Sequence, residues 1–244
     1  MKVLPIKTRI FKENENLFDF IVSHIKKLEE NSIIVVTSKI VALSEGRTAI
    51  IKNEKEKEEL IKKESQFAMR TKFKVGKTDK YVWITIKDGM VMAGAGIDES
   101  NANGKIILLP KNSWKTSLSL RNKLLKYYKI KNLGIIISDS RIFPLRAGIV
   151  GVALGYAGFK GVRDYRGKPD IFNRDLKFSR TDVADSLTTA AVLLMGEGDE
   201  CQPLAIITDS KAVFLNKVNK NELQINPKDD LYQPLFARIK KIKL

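Results

Sequence analysis

Three short acidic stretches carry the residue types best suited to chemistry. Asp98 follows Gly94-Ala95-Gly96-Ile97 and precedes Glu99-Ser100-Asn101. Asp139 lies between Ser138 and Ser140, at the end of the apolar run Ile135-Ile136-Ile137. Glu197 sits in Met195-Gly196-Glu197-Gly198-Asp199-Glu200, where a helical stretch runs out into glycine. Carboxylates at strand and helix ends, beside hydroxyls and glycines, suit magnesium or manganese. Such hard cations take oxygen ligands, and two of them can clamp a triphosphate. Taken singly, each acid is equally a turn or capping residue. Gly94-Ala95-Gly96 lacks the rest of the dinucleotide fingerprint, and the chain holds no Walker A sequence.

Other chemistries are excluded by what is scarce. His24 is the only histidine among 244 residues and sits in a stretch that reads as an amphipathic helix, so a Ser-His-Asp triad or a multi-histidine metal site is very hard to build. Cys201 is the only cysteine, which rules out an intramolecular disulfide framework and points to a reducing cytoplasm. The stretch Met1 to Phe11 has no apolar core and does not read as a secretory signal. No apolar run approaches the ~20 residues of a membrane helix. Lys plus Arg outnumber Asp plus Glu by 44 to 28, a net +16, which favours an anionic partner. From Asn101 to Ser138 there are eight cations (Lys105, Lys111, Lys115, Arg121, Lys123, Lys126, Lys129, Lys131) and no acid. Trp114, Tyr127 and Tyr128 lie among them. A nucleic-acid surface is one reading of that segment, and a solvated helix face with inward aromatics is the favoured one.

The elements that must position these residues follow from patterning. Lys2 to Pro5 reads as a short extended start, and Leu17 to Glu30 as an amphipathic helix. Ser32 to Thr37 is a buried-type strand, β-branched after its serine. Lys52 to Lys63 is a charged helix. Tyr81 to Ile86 and Met90 to Ala93 flank Lys87-Asp88-Gly89, a hairpin signal. Ile106 to Leu109 reads as strand, Trp114 to Lys129 as helix and Leu133 to Ser138 as strand. Ala147 to Gly158 is a small-residue strand. Thr181 to Met195 is a helix, Pro203 to Thr208 a strand, and Arg238 to Leu244 a basic tail. Strands and helices mix without strict βαβ alternation. The fold class is therefore α/β of the mixed α+β kind, with mixed sheets and flanking helices, over one unit of residues 1–244 or two intertwined subdomains.

These segments, in this order, resemble the coenzyme F420-0:L-glutamate ligases, the F420 γ-glutamyl ligases. The matching stretches are Val35 to Val41 with Glu45-Gly46-Arg47, then Ala95 to Asn101, then Ser138-Asp139-Ser140 with Pro144 and Arg146. Gly148 with Val150 to Gly155 follows, then Asp164-Tyr165-Arg166-Gly167 with Asp170, then Val183-Ala184-Asp185 leading to Met195-Gly196-Glu197. The resemblance implies the F420-ligase-like fold, a cytoplasmic homodimer and a GTP-dependent amide ligase. In such a ligase an acceptor carboxylate is phosphorylated with GTP and Mg²⁺ or Mn²⁺. The amine of L-glutamate then displaces phosphate from the acyl phosphate. Carried over by position, Asp98, Asp139, Ser140 and Glu197 hold the metal ions. Leu4, Pro5, Ile6, Lys7, Ser38, Asn101, Met195, Gly196 and Gly198 contact GTP. No catalytic base is assigned. Such chemistry needs no histidine.

The chain also departs from the family pattern. Leu43 stands where the family has a nucleotide-contacting lysine, and Arg141-Ile142-Phe143-Pro144-Leu145-Arg146 replaces Phe-Gly-Arg-Pro-Trp-Arg. Ile149 takes a glutamine position. Lys39 and Arg141 are the nearby cations that would compensate. The acceptor is F420-0 or, because the bond formed is the same, a folate-type acceptor. A non-catalytic nucleotide- or nucleic-acid-binding homologue is the reading from another class.

Overall fold

Ile33, Ile34, Val35 and Val36 are all fully buried. A strand hidden on both faces must have helices on both sides, and that requirement organises the sheet around it. A computed structural model describes residues 1–236 and 240–241. The basic tail expected over 238–244 lies almost wholly outside the described residues. In chain order the elements are β1 (Lys2–Ile6), α1 (Leu17–His24), β2 (Ser32–Thr37), α2 (Ser38–Ser44), β3 (Thr48–Ala49), α3 (Glu54–Glu64) and β4 (Phe67–Val75). Next are β5 (Thr78–Lys87), β6 (Met90–Ala93), a 3-10 turn (Gly94–Gly96), β7 (Ile106–Ile107), α4 (Ser113–Tyr128), β8 (Leu133–Ile142) and β9 (Ile149–Ala157). Then come β10 (Val162–Asp164), β11 (Arg180–Asp182), α5 (Val183–Met195), β12 (Leu204–Thr208), α6 (Gln233–Phe236) and β13 (Lys240–Lys241). The fold is mixed α/β, as expected.

The chain divides into two compact units, Met1–Glu45 with Pro110–Leu223, and Gly46–Leu109 with Gln224–Leu244. The first is built on a five-stranded sheet in the order β1-β12-β2-β8-β9. β2 and β8 pair in parallel from Ser32↔Leu133 to Thr37↔Ser138, and the other neighbours are antiparallel. The alternation along β2 and β8 sends side chains to both faces. Ile34, Val36, Ile135 and Ile137 pack with α1, α2 and α4 on one side. Ile33, Val35 and Ile136 pack with Ala184, Leu187 and Ala191 of α5 on the other. Burial of each such aliphatic side chain contributes about 1.5–3 kcal/mol.

The second unit holds a four-stranded sheet, β13-β4-β5-β6, and the small pair β3-β7. The hairpin expected at Asp88-Gly89 is present, with Lys87↔Met90 paired and φ of 51° and 79° at the turn. β4 was not anticipated. It pairs with β5 from Phe67↔Ile86 to Val75↔Thr78, around a turn at Gly76. Its lysine-rich sequence hides the strand, because one face carries charges that pair across the ladder, as in Lys72–Asp79 at 2.6 Å. The charged helix α3 also belongs here, and its Glu64 accepts from Arg47 at 2.6 Å and Lys87 at 2.5 Å. Burial pushes that carboxyl up, but the two cations outweigh it and hold it below its ordinary range.

Several element boundaries differ from the sequence reading, β8 for instance running on to Ile142, and three of them have a plain physical reason. The helix read over Leu17 to Glu30 stops at His24. Ser23 and His24 turn their side chains onto the Phe20 carbonyl, and the chain then extends so that Ile25 and Leu28 reach the core. α5 begins at Val183 because Asp182 caps it, accepting from the Asp185 amide at 2.9 Å. β7 covers only Ile106–Ile107 of the strand read over Ile106 to Leu109. There Leu108 turns its amide to the Arg47 carbonyl.

Candidate functional site

In the first unit β1 and β2 are both antiparallel to β12, and β8 is parallel to β2. β1, β2 and β8 therefore run in one direction, and their carboxyl ends meet at one end of the sheet. Ile6 and Lys7 end the first, Ser38 follows the second, and Asp139 and Ser140 lie on the third. β12 starts at this same end, so the loop after Met195 that feeds it arrives there too. Two backbone bonds close the arrangement, Thr37 N–H to Pro203 O at 3.0 Å and Thr8 N–H to Cys201 O at 2.9 Å. Ligands in open sheets collect at such carboxyl ends. Leu4, Pro5 and Ile6 lead to this end along β1, an edge strand with Leu4 exposed.

β8 outruns β2. Pairing with β2 ends at Thr37↔Ser138, because the chain turns into α2 there, whereas Asp139 to Ile142 pair only with β9. The two candidate ligands thus sit on a strand whose other edge has no ladder partner in this sheet. As neighbours on a strand they lean to opposite faces. Asp139 Oδ1 accepts from Ser38 Oγ at 3.2 Å. Its Oδ2 accepts from Arg141 Nη1, which also donates to the Ser140 carbonyl at 2.8 Å. Ser140 Oγ donates to Glu197 Oε1 at 2.5 Å. Two groups of oxygen donors therefore flank the end of β8, one around Asp139 and one pairing Ser140 with Glu197. Past Gly196, the Gly198 amide donates to Glu200 at 2.8 Å.

Behind these residues is a pair that sequence reasoning undervalued. Asp182 and Asp185 lie at the start of α5, and the Asp185 carboxylate accepts from the Ala153 amide of β9 at 2.8 Å. Burial pushes Asp182 up to about 7, with the charge of Asp185 adding to it. Burial also raises Asp185, opposed by the Ala153 N–H and the charge of Arg141. The two carboxyls therefore titrate as a coupled pair, both raised by burial. The spacing Asp182-x-x-Asp185 before an apolar helix was a visible capping signal.

Asp98 and Asn101 belong to the second unit. Asp98 exchanges backbone hydrogen bonds with Ile107, at 2.9 and 2.8 Å. Its Oδ1 accepts from both the amide and the hydroxyl of Ser100, each at 2.7 Å. Asn101 follows with φ 53°. The structure thus gathers Ser38, Asp139, Ser140 and Glu197 with the end of β1 in one unit, and seats Asp98 and Asn101 on the other. Among the described residues, no three Asp, Glu, His or Cys side chains cluster.

The departures are also located. Leu43 packs against the core beneath α1 and α2. A leucine there fills an apolar position. Arg141, nearly buried, is turned onto Asp139. Of the eight cations in the basic segment, Arg121 is buried and donates to the Leu133 carbonyl at 2.8 Å and to Asn216 at 3.1 Å. Trp114 packs at a tilt against Tyr156, with ring centroids 4.5 Å apart, and Tyr128 donates to the Ile25 carbonyl. Two of the three aromatics there are inward, leaving Tyr127 exposed. No helix among the described residues is long and apolar enough to cross a membrane.

Comparison with known proteins shows the family. The model of the family F420-0:Gamma-glutamyl ligase matches residues 5–209. A coenzyme F420:L-glutamate ligase of Methanocaldococcus jannaschii is 35% identical, over 94% of this chain and 95% of its own length. One from Methanococcus maripaludis strain C6 is 32% identical, over 96% of this chain and 97% of its own. One from Archaeoglobus fulgidus is 30% identical, over 85% and 87%. The stretches that carried the resemblance all fall inside the matched region, so the chain belongs to the F420-0:gamma-glutamyl ligase family, whose members are amide-bond-forming ligases.

Proposed function

We propose that this protein joins the amine of L-glutamate to the carboxylate of an F420-0-type acceptor through an amide, which is γ-glutamyl where that carboxylate is the side chain of a glutamate already on the acceptor, using GTP and Mg²⁺ or Mn²⁺. The observation that carries this reading is the convergence of β1, Ser38, Asp139, Ser140 and Glu197 at one end of the five-stranded sheet. The donors Asp139, Ser140 and Glu197 are all oxygens, which fits a hard divalent cation. Bound there, the metal would neutralise triphosphate charge. Asp98 and Asn101 keep the ligand roles that the family resemblance implies.

In the proposed reaction the γ-phosphoryl group passes from GTP to the acceptor carboxylate, and GDP leaves. The unprotonated amine of glutamate attacks the acyl carbon, the C–O bond to phosphate breaks, and one amine proton goes to a base or to solvent. Residues of this chain bind and orient. Ser38 holds Asp139 by a hydrogen bond, Ser140 holds Glu197, and the β1 end with the loop from Met195 to Gly198 borders the nucleotide. Three anionic substrates give the +16 chain a role in attraction. The exposed apolar tip between β8 and β9, with Ile142, Phe143 and Leu145, supports the homodimer that the resemblance implies. Sedimentation velocity tests it, with a monomer as the contrary result.

Glutamate ligation to F420-0 and to a folate acceptor, run in parallel with GTP and ATP and with Mg²⁺ and Mn²⁺, tests the activity. Amide formation with F420-0 and GTP is the expected result, and Asp139→Asn and Asp98→Asn should each abolish it. Product from the folate acceptor alone would reassign the substrate. Absence of nucleotide binding would remove the ligase reading.

A further inference from the structure

Arg141 stands where the family has phenylalanine, and the structure gives it a definite occupation. It lies on the same face of β8 as Asp139, two residues away, and only 8% of it is exposed. One guanidinium nitrogen bonds both the Asp139 carboxylate and the Ser140 carbonyl. Asp139 meanwhile takes a hydroxyl hydrogen bond from Ser38 at 3.2 Å. Around Asp139 the first unit therefore supplies one carboxylate, one guanidinium and one hydroxyl, and the same guanidinium also faces Asp185. The other donor group, Ser140 with Glu197, carries a single negative charge.

A divalent cation approaching Asp139 meets a fixed positive charge within two bonds' reach of its ligand. Repulsion at that distance is large in a partly buried site, where screening is weak. The barrier falls when a triphosphate brings several negative charges and its own oxygen ligands with the metal. We propose that Arg141 is the resident counter-ion of Asp139, and that it makes divalent-cation binding conditional on the nucleotide: metal and GTP enter together, not metal first. This rests on the metal-site assignment proposed above. Arg141 is a positioning residue in this scheme. It holds the Asp139 carboxylate in place between ligand cycles without an added metal ion.

The test is binding of Mn²⁺ followed by the electron paramagnetic resonance of free Mn²⁺, with and without GTP, on the full-length protein. Wild type should bind Mn²⁺ poorly without nucleotide and at least about tenfold more tightly, per protein site, when GTP is present. Arg141→Gln should bind Mn²⁺ without nucleotide at least about tenfold more tightly than wild type, whereas Arg141→Lys, which keeps the charge, should stay close to wild type. Equal affinities of wild type and Arg141→Gln without nucleotide, with both binding Mn²⁺ when GTP is added, would overturn the counter-ion role and leave the metal site standing. Failure of wild type to bind Mn²⁺ even with GTP would instead remove the metal-site reading, and this proposal with it. Should Arg141→Gln not fold, the wild-type titration decides alone: tight Mn²⁺ binding without nucleotide refutes ordered entry.

Discussion

Asp182→Asn should remove one pH-dependent contribution to stability. Asp182 caps α5 through its bond from the Asp185 amide, and asparagine caps as well as aspartate. The substitution therefore keeps the cap and removes only the ionisation. In the folded protein Asp182 rises from its ordinary 3.8 to about 7, by burial and by the charge of Asp185. The nearby groups are Asp185, Arg141 facing Asp185, and Tyr156, whose hydroxyl donates to Glu222 at 2.5 Å. A raised carboxyl binds its proton more tightly when folded than when unfolded. Its stabilising share is thus fully present below about pH 4 and is lost as pH rises to about 7. At 1.36 kcal/mol per unit the full span is about 4 kcal/mol. Asp182 is partly exposed, and screening reduces this to about 2 kcal/mol. Wild type and Asp182→Asn should be equally stable near pH 4, and the variant should be ahead by about 2 kcal/mol at pH 8. Urea denaturation at intervals of half a pH unit measures the difference. A difference that stays constant from pH 4 to 8 would refute the raised carboxyl of Asp182.

Three further outcomes follow from the packing. Gly158→Ala should cost more than about 3 kcal/mol or prevent folding, because φ is +91° and a Cβ there would lie 2.0 Å from the Leu133 carbonyl oxygen; thermal denaturation reads it, and a melting point within a few degrees of wild type would contradict the close approach. Tyr128→Phe removes the hydroxyl bonded to the Ile25 carbonyl and should cost about 1 kcal/mol by urea titration. The same burial pushes the Tyr128 phenol up to about 12, and burial with Glu222 raises Tyr156 as well, so spectrophotometric titration should find two tyrosines ionising well above the ordinary range, and one in Tyr128→Phe. Glu64→Gln leaves Arg47 and Lys87 facing each other without their shared carboxylate, and a loss of about 1–3 kcal/mol is expected at neutral pH. Because Glu64 is held low, that loss should shrink as pH falls through its folded value.

Much of the sheet was legible because its signals are local. Ile33 to Val36 and Ile135 to Ile137 announce buried strands by β-branching, and Asp88-Gly89 announces a turn whose geometry few other residues accept. The end of α1 was not legible. The apolar spacing continues through Ile25 and Leu28, and only the core they reach shows that they do so from extended backbone. β4 was missed for the opposite reason, since its lysines look like solvated chain until a partner strand supplies the opposing charges.

The residue types at Asp98, Asp139, Ser140 and Glu197 were set by the sequence alone, together with the exclusion of histidine and disulfide chemistry. Family membership followed from the order of short motifs. Which of those residues meet is a property of strand direction and register. Ser38 reaches Asp139 across 101 positions of chain because β2 and β8 are parallel and end together at Thr37 and Ser138. Ser140 reaches Glu197 because α5 returns the chain to the same end of the sheet before β12 begins. Leu43 and Arg141 show the difference most directly. In the sequence they are a lost cation and a nearby candidate to replace it. In the fold one packs, partly buried, against the core, and the other is drawn to the nearest carboxylate, since a nearly buried guanidinium must find its counter-charge close by.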